Sequence, residues 1–476
     1  MTAREKSLRR LPAVDALLRE PALAGARARL AHETIVALVR EVLAEVRGDL
    51  LTGRGERPLA AAALAEETAR RAAALLTPTL TRVVNATGIL IHTNLGRAPL
   101  GASAQEAVAR VAAGYANLEL DLPSGRRASR LDAVRDLLRR LTGAEDAHAV
   151  NNNAAAVHLA LHVLASGREA IVSRGELVEI GGSFRLPDIL AASGAVLREV
   201  GTTNRTRSDD YRAALSERTG LILKVHPSNF VLRGFTEAAA RTDLAALARE
   251  RGIPLVEDQG SGAIDQQPTA WLRGEPRLQE ALREGADLVT CSADKLLGGP
   301  QAGLILGRRE LVARLRAHPL ARVVRLDKLH LAALEATLRE YLRGEAGVRA
   351  IPLYRMLARP LEELRAIGER LVERLVAEGV AGERLELIAT EAAAGGGSLP
   401  DEWMPSIAVA MRPPGGAVDR FARALRTGEP PIVGRVERDR LVLDLRTLQE
   451  DEWDELPVWV AARWKVVERT EGEGQE

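Results

Sequence analysis

The chain predicts an α/β fold: a mostly parallel, doubly wound sheet, preceded by a helical segment and followed by a smaller α+β domain. Three observations carry this. From about residue 133 to 310, short apolar runs alternate with helix-period segments, the pattern of strands buried on both faces between crossover helices. Residues 1 to about 75 place their apolar side chains at helical spacing only. Past about residue 340 the alternation is lost, a glycine-rich break intervenes, and one late strand stands out. The expected division is a helical segment over 1–75, a large α/β domain over 76–340 and a small α+β domain over 341–476.

Composition narrows the class. A chain of 476 residues can bury a large core, and 46% hydrophobic with 28% charged residues is ordinary for a soluble globular protein. A net charge of +1 leaves any nucleic-acid contact to local patches. The lone Cys291 excludes an internal disulfide and a cysteine-ligated metal, and it fits a reducing, cytoplasmic setting. No apolar run approaches a membrane span and no signal-peptide core follows Met1, so no membrane partner is expected.

In the first segment Val14, Leu17 and Leu18, then Ile35, Leu38, Val39 and Val42, mark helices punctuated by Pro12 and Pro21. A small basic excess there suits an appendage that docks on a partner or another subunit, and a solvated helical face explains it equally. Next, Val83–Leu100 is turn-rich, with Gly and Asn breaking two apolar runs, as in a loop laid across a pocket. An arginine-bearing polar loop, Asn117–Arg130, follows. The strand candidates are His148–Val150, Glu169–Val172, Val196–Val200, Leu221–Val225, Pro254–Val256 and Leu288–Thr290. A helix from Asp327 to about Arg343 leads out of the large domain. Gly395–Pro400 reads as a break, Arg440–Leu445 as the late strand, and the tail after Arg469 as a frayed end.

Four strand-end signals carry the chemistry. Lys295 follows the run Leu288–Ser292 and precedes a Gly-Gly-Pro turn; desolvation there would free its amine for catalysis. Asn151–Ala154 joins a strand to an alanine-rich helix, so Asn152, Asn153 and Ala154 could cradle a phosphate at the helix N-terminus; asparagine N-capping accounts for the same residues. Asn229 could bond the phenolic oxygen of a pyridoxal ring with His226 near that ring, or the two could form a plain turn. Asp258 could face the ring nitrogen, with Glu257 pointing to the opposite side of the strand. Ser292 would add a phosphate contact and Lys295 the Schiff base. Their common location at the carboxyl ends of strands predicts an aspartate-aminotransferase-type enzyme of pyridoxal 5'-phosphate (PLP).

The segments Asn85–Leu100, Asn117–Arg130, Asn151–Ala156, His226–Phe230 and Ser292–Gly303 resemble the bacterial selenocysteine synthases, the L-seryl-tRNA(Sec) selenium transferases. Leu8–Leu18, Pro430–Arg435 and Leu443–Arg446 are similar as well, so the resemblance spans nearly the whole chain. Gln259 departs from it, standing where a leucine is expected. The resemblance implies the PLP-dependent fold type I and conversion of serine esterified to tRNA(Sec) into selenocysteine, through a dehydroalanyl species, with selenophosphate as donor. It implies Lys295 as the Schiff-base lysine, a catalytic position at Asp294, and Arg97, Arg322 and Arg325 around the donor. It further implies a homodecameric ring of dimers whose N-terminal segments grip the tRNA. Two alternatives stand beside this. A PLP lyase acting on a small amino acid or amino sugar acid would have no evident need of residues 1–75. A tRNA-binding protein without catalysis would not need Lys295, Asp258 and the Asn152 loop together. A ring-stacking group is expected from the loop Arg174–Glu179.

Overall fold

The computed structural model describes residues 8–52, 58–180, 184–265, 272 and 274–472. The chain divides into two compact units, Met1–Arg82 and Val83–Glu476.

The first unit is helical among its described residues, with two long helices, His32–Thr52 and Ala61–Leu76, and short ones at Val14–Arg19 and Ala24–Arg27. Ile35, Leu38, Val39, Val42, Leu43 and Val46 recur every three or four residues, and the stripe they form is buried against Leu17, Leu23, Leu64 and Ala65. Glu45 accepts from both terminal nitrogens of Arg71 at 2.6 and 2.7 Å and so ties the long helices at their rim.

In the second unit the strands run, in chain order, β1 (Val84–Ala86), β2 (Asp146–Val150), β3 (Glu169–Ser173), β4 (Glu179–Ile180), β5 (Phe184–Arg185), β6 (Val196–Val200), β7 (Thr219–Val225), β8 (Leu255–Gly260), β9 (Leu288–Ser292), β10 (Gly303–Gly307), β11 (Leu385–Gly395), β12 (Ser398–Met411), β13 (Ile432–Glu437) and β14 (Arg440–Asp444). Seven form the main sheet in the order β2-β10-β9-β8-β7-β3-β6, and β4 with β5 makes a small ribbon. Every pairing in the main sheet is parallel except the two made by β10. All residues of β2, β8, β9 and β10 are buried, as strands covered on both faces must be. β10 is absent from the sequence-based strands. It returns straight from the turn after Lys295, so it needs no crossover and runs antiparallel. Its Gly303 leaves no room for a side chain, because a Cβ there would lie 2.1 Å from the Asn152 carbonyl oxygen.

The second sheet, β1-β13-β14-β12-β11, has its own core around Phe421 and Trp464. β1 pairs parallel with β13, Val84 opposite Ile432, and Val84 N–H donates to the Pro431 carbonyl at 2.9 Å. Residues 84–86 therefore lie with the C-terminal sheet, although the sequence places everything from 76 in the large domain; a three-residue strand carries no periodicity to reveal its partner. The glycine break is the tip of the β11–β12 hairpin, where Gly395, Gly396 and Gly397 take φ of 74, 62 and 72°. Ile89–Ile91 lies along this tip, with Ile91 N–H donating to the Ala394 carbonyl at 2.7 Å. The helix Lys328–Leu342 starts on Asp327, whose carboxylate accepts from the N–H groups of Leu329 and His330. Among the described residues, no helix is long and apolar enough to cross a membrane.

Candidate active site

Lys295 sits in the turn between β9 and β10 and is 4% exposed. The turn is held from several sides. Leu296 N–H donates to the Ser261 carbonyl at 3.0 Å, Gly298 N–H to that of Lys295 at 2.9 Å, and Tyr341 Oη to that of Leu297 at 2.8 Å. Tyr354 Oη donates to the Leu296 carbonyl. Burial pushes the Lys295 amine below its ordinary pKa, and the nearby Arg97 cation adds to the effect, while Asp258, Asp294 and Glu275 oppose it.

The amine opens on a cavity of about 270 Å³ at the carboxyl ends of β2, β7, β8 and β9. Asn152, Asn153 and Ala154 form one wall. Asn152 is the N-cap of the helix Asn153–Ala165 and accepts from Ala155 N–H at 2.8 Å. The capping role and the anion-site role are compatible, since the N–H groups of Asn153 and Ala154 stay outside the helix's own bonding. Asn153 reaches across to donate to Asp258 Oδ1 at 2.8 Å, and its own Oδ1 is buried without a partner among the described residues.

Asp258 owes its aim to a bulge. It pairs with Thr290 and Gly260 with Cys291, so Gln259 is the extra residue on β8, and the strand bends there. Thr290 Oγ1 donates to Asp258 Oδ1 at 3.0 Å. Burial raises the Asp258 pKa against the pull of these donors. Glu257 points to the other face, where Arg241 Nε donates to it at 2.5 Å. Gln259 Nε2 bridges Glu257 and the Arg277 carbonyl at 3.2 and 3.1 Å.

On the floor, Ser292 Oγ donates to Asp294 Oδ1 at 2.6 Å, and Arg97 Nη1 donates to both Asp294 oxygens at 2.9 and 2.8 Å. Asp294 thus orients both the serine and the arginine. His226 lines the cavity, and burial pushes its pKa down to about 4, so the ring is neutral at physiological pH. From the Arg174–Glu179 loop it is Val178 that reaches the cavity.

Two groups of expected residues do not line this cavity. Asn229 stands beside it, its Cβ 3.5 Å from where a Cβ on Gly397 would lie, a point also 3.5 Å from Lys295 Nζ. Its side chain is exposed, however, and its Nδ2 donates to the Glu179 carbonyl at 2.8 Å, while the neighbouring buried Ser228 faces in. Arg322 and Arg325 line a separate cavity of about 590 Å³, with Arg130, Arg316 and His148. Three residues that sequence reasoning missed also shape the site. A Cβ on Gly397 would stand 3.5 Å from Lys295 Nζ, so the hairpin tip abuts the amine. Tyr341 and Tyr354 hold the lysine turn, their rings edge to face at 6.4 Å. The triple glycine was visible as a signal; nothing near either tyrosine marked it.

A doubly wound sheet with its lysine in the turn after a central parallel strand, flanked by a small second sheet, is an α/β layout shared with a solved structure. The structure of D-glucosaminate-6-phosphate ammonia-lyase has this fold, with a TM-score of 0.57 and 21% identity over 82% of this chain and 97% of that one. At sequence level the relation is closer and more specific. The family profile described as L-seryl-tRNA selenium transferase matches residues 83–449, and that described as selenocysteine synthase N terminal matches residues 8–47. The L-seryl-tRNA(Sec) selenium transferase of Carboxydothermus hydrogenoformans is 46% identical over 452 residues, covering 95% of this chain and 97% of its own. That of Geobacter sulfurreducens is 46% identical over 444 residues, covering 93% and 96%. This chain belongs to the L-seryl-tRNA selenium transferase family.

Proposed function

We propose that this chain converts L-seryl-tRNA(Sec) to L-selenocysteinyl-tRNA(Sec), with PLP as cofactor and selenophosphate as selenium donor. The observation that carries the reading is the buried Lys295 facing Asp258 across one cavity, in a chain 46% identical over 452 residues to a relative of that name. The residues present fit PLP. Two free N–H groups at a helix start suit its phosphate. Asp258 is a buried carboxylate with only neutral donors at hand, an arrangement that favours a cationic N–H partner. When bound, PLP supplies an electron sink conjugated to its ring nitrogen.

The chain's own groups then have defined tasks. Asp258 keeps the proton on that ring nitrogen. Lys295 Nζ takes and returns the proton at the serine α-carbon, and its lowered pKa leaves it able to accept one nearer neutral pH. Gly397 and the buried lysine turn exclude water. Arg97, held by Asp294, presents its guanidinium to selenophosphate; Arg322 and Arg325 lie in the separate cavity and join this role by resemblance alone. The helical unit grips the tRNA, and the protein assembles as a homodecameric ring in the cytoplasm. The exposed Tyr115, Leu120, Leu122 and Val323 support an assembly, since one chain leaves these apolar groups in water.

Incubation with seryl-tRNA(Sec) or seryl-tRNA(Ser), with and without selenophosphate, tests the reading. Selenocysteinyl-tRNA should form from the first alone, and only with donor. Transfer to neither tRNA, with ammonia released from a small amino acid, would replace it by the lyase. Deleting residues 1–60 should abolish tRNA binding, and the binding of the full chain should weaken as salt rises.

A further inference from the structure

His226 and Glu275 face each other across a gap. His226 Nε2 lies 3.7 Å from Glu275 Oε1, and both atoms are buried without a hydrogen-bond partner among the described residues. Two orphaned polar atoms at that separation are costly unless they bond each other or share a water. The ring lines the Lys295 cavity, and it also borders a cavity of about 450 Å³ to which Glu275 and Leu399 contribute. His226 therefore stands between these spaces, with Glu275 on the side of the second. Glu275 is 5% exposed; the Ser261 hydroxyl, also buried without a hydrogen-bond partner among the described residues, and the Leu399 N–H both lie beside its carboxyl group. Leu399 lies two residues beyond Gly397, the residue that abuts Lys295 Nζ. One carboxyl group thus reaches the imidazole and the hairpin tip together.

We propose that Glu275 is a positioning residue that hydrogen-bonds His226 Nε2 and so sets the orientation and tautomer of the imidazole facing the cofactor. The inference rests on the PLP reading above. Burial lowers the His226 pKa and raises that of Glu275, which favours a neutral pair. In such a pair the carboxyl O–H donates, Nε2 accepts, and the ring proton is on Nδ1. The 3.7 Å gap has to close by roughly 1 Å to reach bonding distance, a tightening common when a ligand fills a site.

A double-mutant cycle on the full-length protein tests this, reading the PLP dissociation constant from the absorbance near ~420 nm and the melting temperature of the apo form. Glu275→Leu should raise the dissociation constant roughly tenfold, as a lost buried hydrogen bond does. Glu275→Gln should stay near wild type, because an amide can donate to Nε2 and accept from Leu399 N–H. In a His226→Phe background, Glu275→Leu should change the constant less than about twofold. An equal loss in both backgrounds, or wild-type affinity in Glu275→Leu, overturns the proposal. A wild type that takes up no PLP overturns the cofactor reading instead; the apo melting temperatures then decide, by their coupling or its absence, whether the two side chains bond.

Discussion

Asp258→Asn separates the charge of the central carboxylate from its shape. The amide fills the same space, and its oxygen can still accept from Asn153 Nδ2 and Thr290 Oγ1, now at 2.8 and 3.0 Å. What disappears is the negative charge beside the cofactor's ring nitrogen. A hydrogen bond to a charged group contributes about 1.5–3 kcal/mol, and about 1.4 kcal/mol is a factor of ten, so PLP binding should weaken roughly 10- to 150-fold. The apo protein should respond in the opposite direction. Burial raises the Asp258 pKa above its ordinary 3.8, so the folded chain holds this proton to higher pH than the unfolded chain does. That contribution to stability is present below pH 3.8 and is lost as pH rises through the folded-state pKa. Above that folded-state pKa the wild type carries a buried charge that asparagine removes. Apo Asp258→Asn should melt at or above the wild-type temperature at pH 7, and this advantage should shrink as the pH is lowered. Absorbance titration with PLP and thermal melting of the apo forms at several pH values measure both arms. PLP affinity within twofold of wild type, or an apo protein several degrees less stable at pH 7, would refute the role given to Asp258.

Lys295→Ala should yield a protein that never develops the ~420 nm band with added PLP, while circular dichroism stays unchanged; a yellow variant would place the Schiff base on another residue. Glu257→Gln breaks a pair with Arg241 in which the carboxylate is 2% and the guanidinium 11% exposed. Arg241 keeps Glu284 as a second partner, so the change should destabilise the fold by roughly 1.5–3 kcal/mol yet leave PLP affinity near wild type, because it lies on the face opposite Asp258; chemical unfolding and PLP titration separate the two. Gly397→Ala places a non-glycine residue at φ of 72° with its Cβ 3.5 Å from Lys295 Nζ. The left-handed backbone costs about 1–2 kcal/mol, so PLP uptake should slow or weaken, and an unchanged titration would mean the hairpin tip does not seat on the lysine.

Legibility in the sequence followed burial. The strands β3, β7, β8 and β9 could be found because a parallel strand covered on both faces leaves an apolar run; β6, mostly unburied at one sheet edge, and β2, paired only antiparallel with β10 at the other, carry shorter runs of the same kind. Lys295, Asp258 and Asn152 could be found because each ends such a run. β10 is bracketed by the glycines its tight neighbours require, and these hid it among turn residues. Asn229 shows a finer limit. The chain turns at His226, with Ser228 N–H donating to the His226 carbonyl at 2.8 Å, and this turn sends Ser228 inward and the asparagine out. Arg322 and Arg325 rest on resemblance alone, and one chain holds them in a different cavity from Lys295. Glu275 and Gly397 come to the site only through tertiary packing: the triple glycine marks a turn but not what that turn packs against, and no local pattern marks Glu275.

The pairing of β1 with β13 also sets a timetable. Residue 84 is made well before its partner, residue 432. At roughly 5–20 residues per second of synthesis, the edge strand waits on the order of 20–70 s before its sheet can exist. The hairpin tip that abuts Lys295 emerges within the same interval, long after the lysine itself. A nascent chain can thus complete the seven-stranded sheet and still present an uncovered amine. The reactive end of Lys295 is enclosed only once the hairpin tip at Gly397 has followed it out of the ribosome.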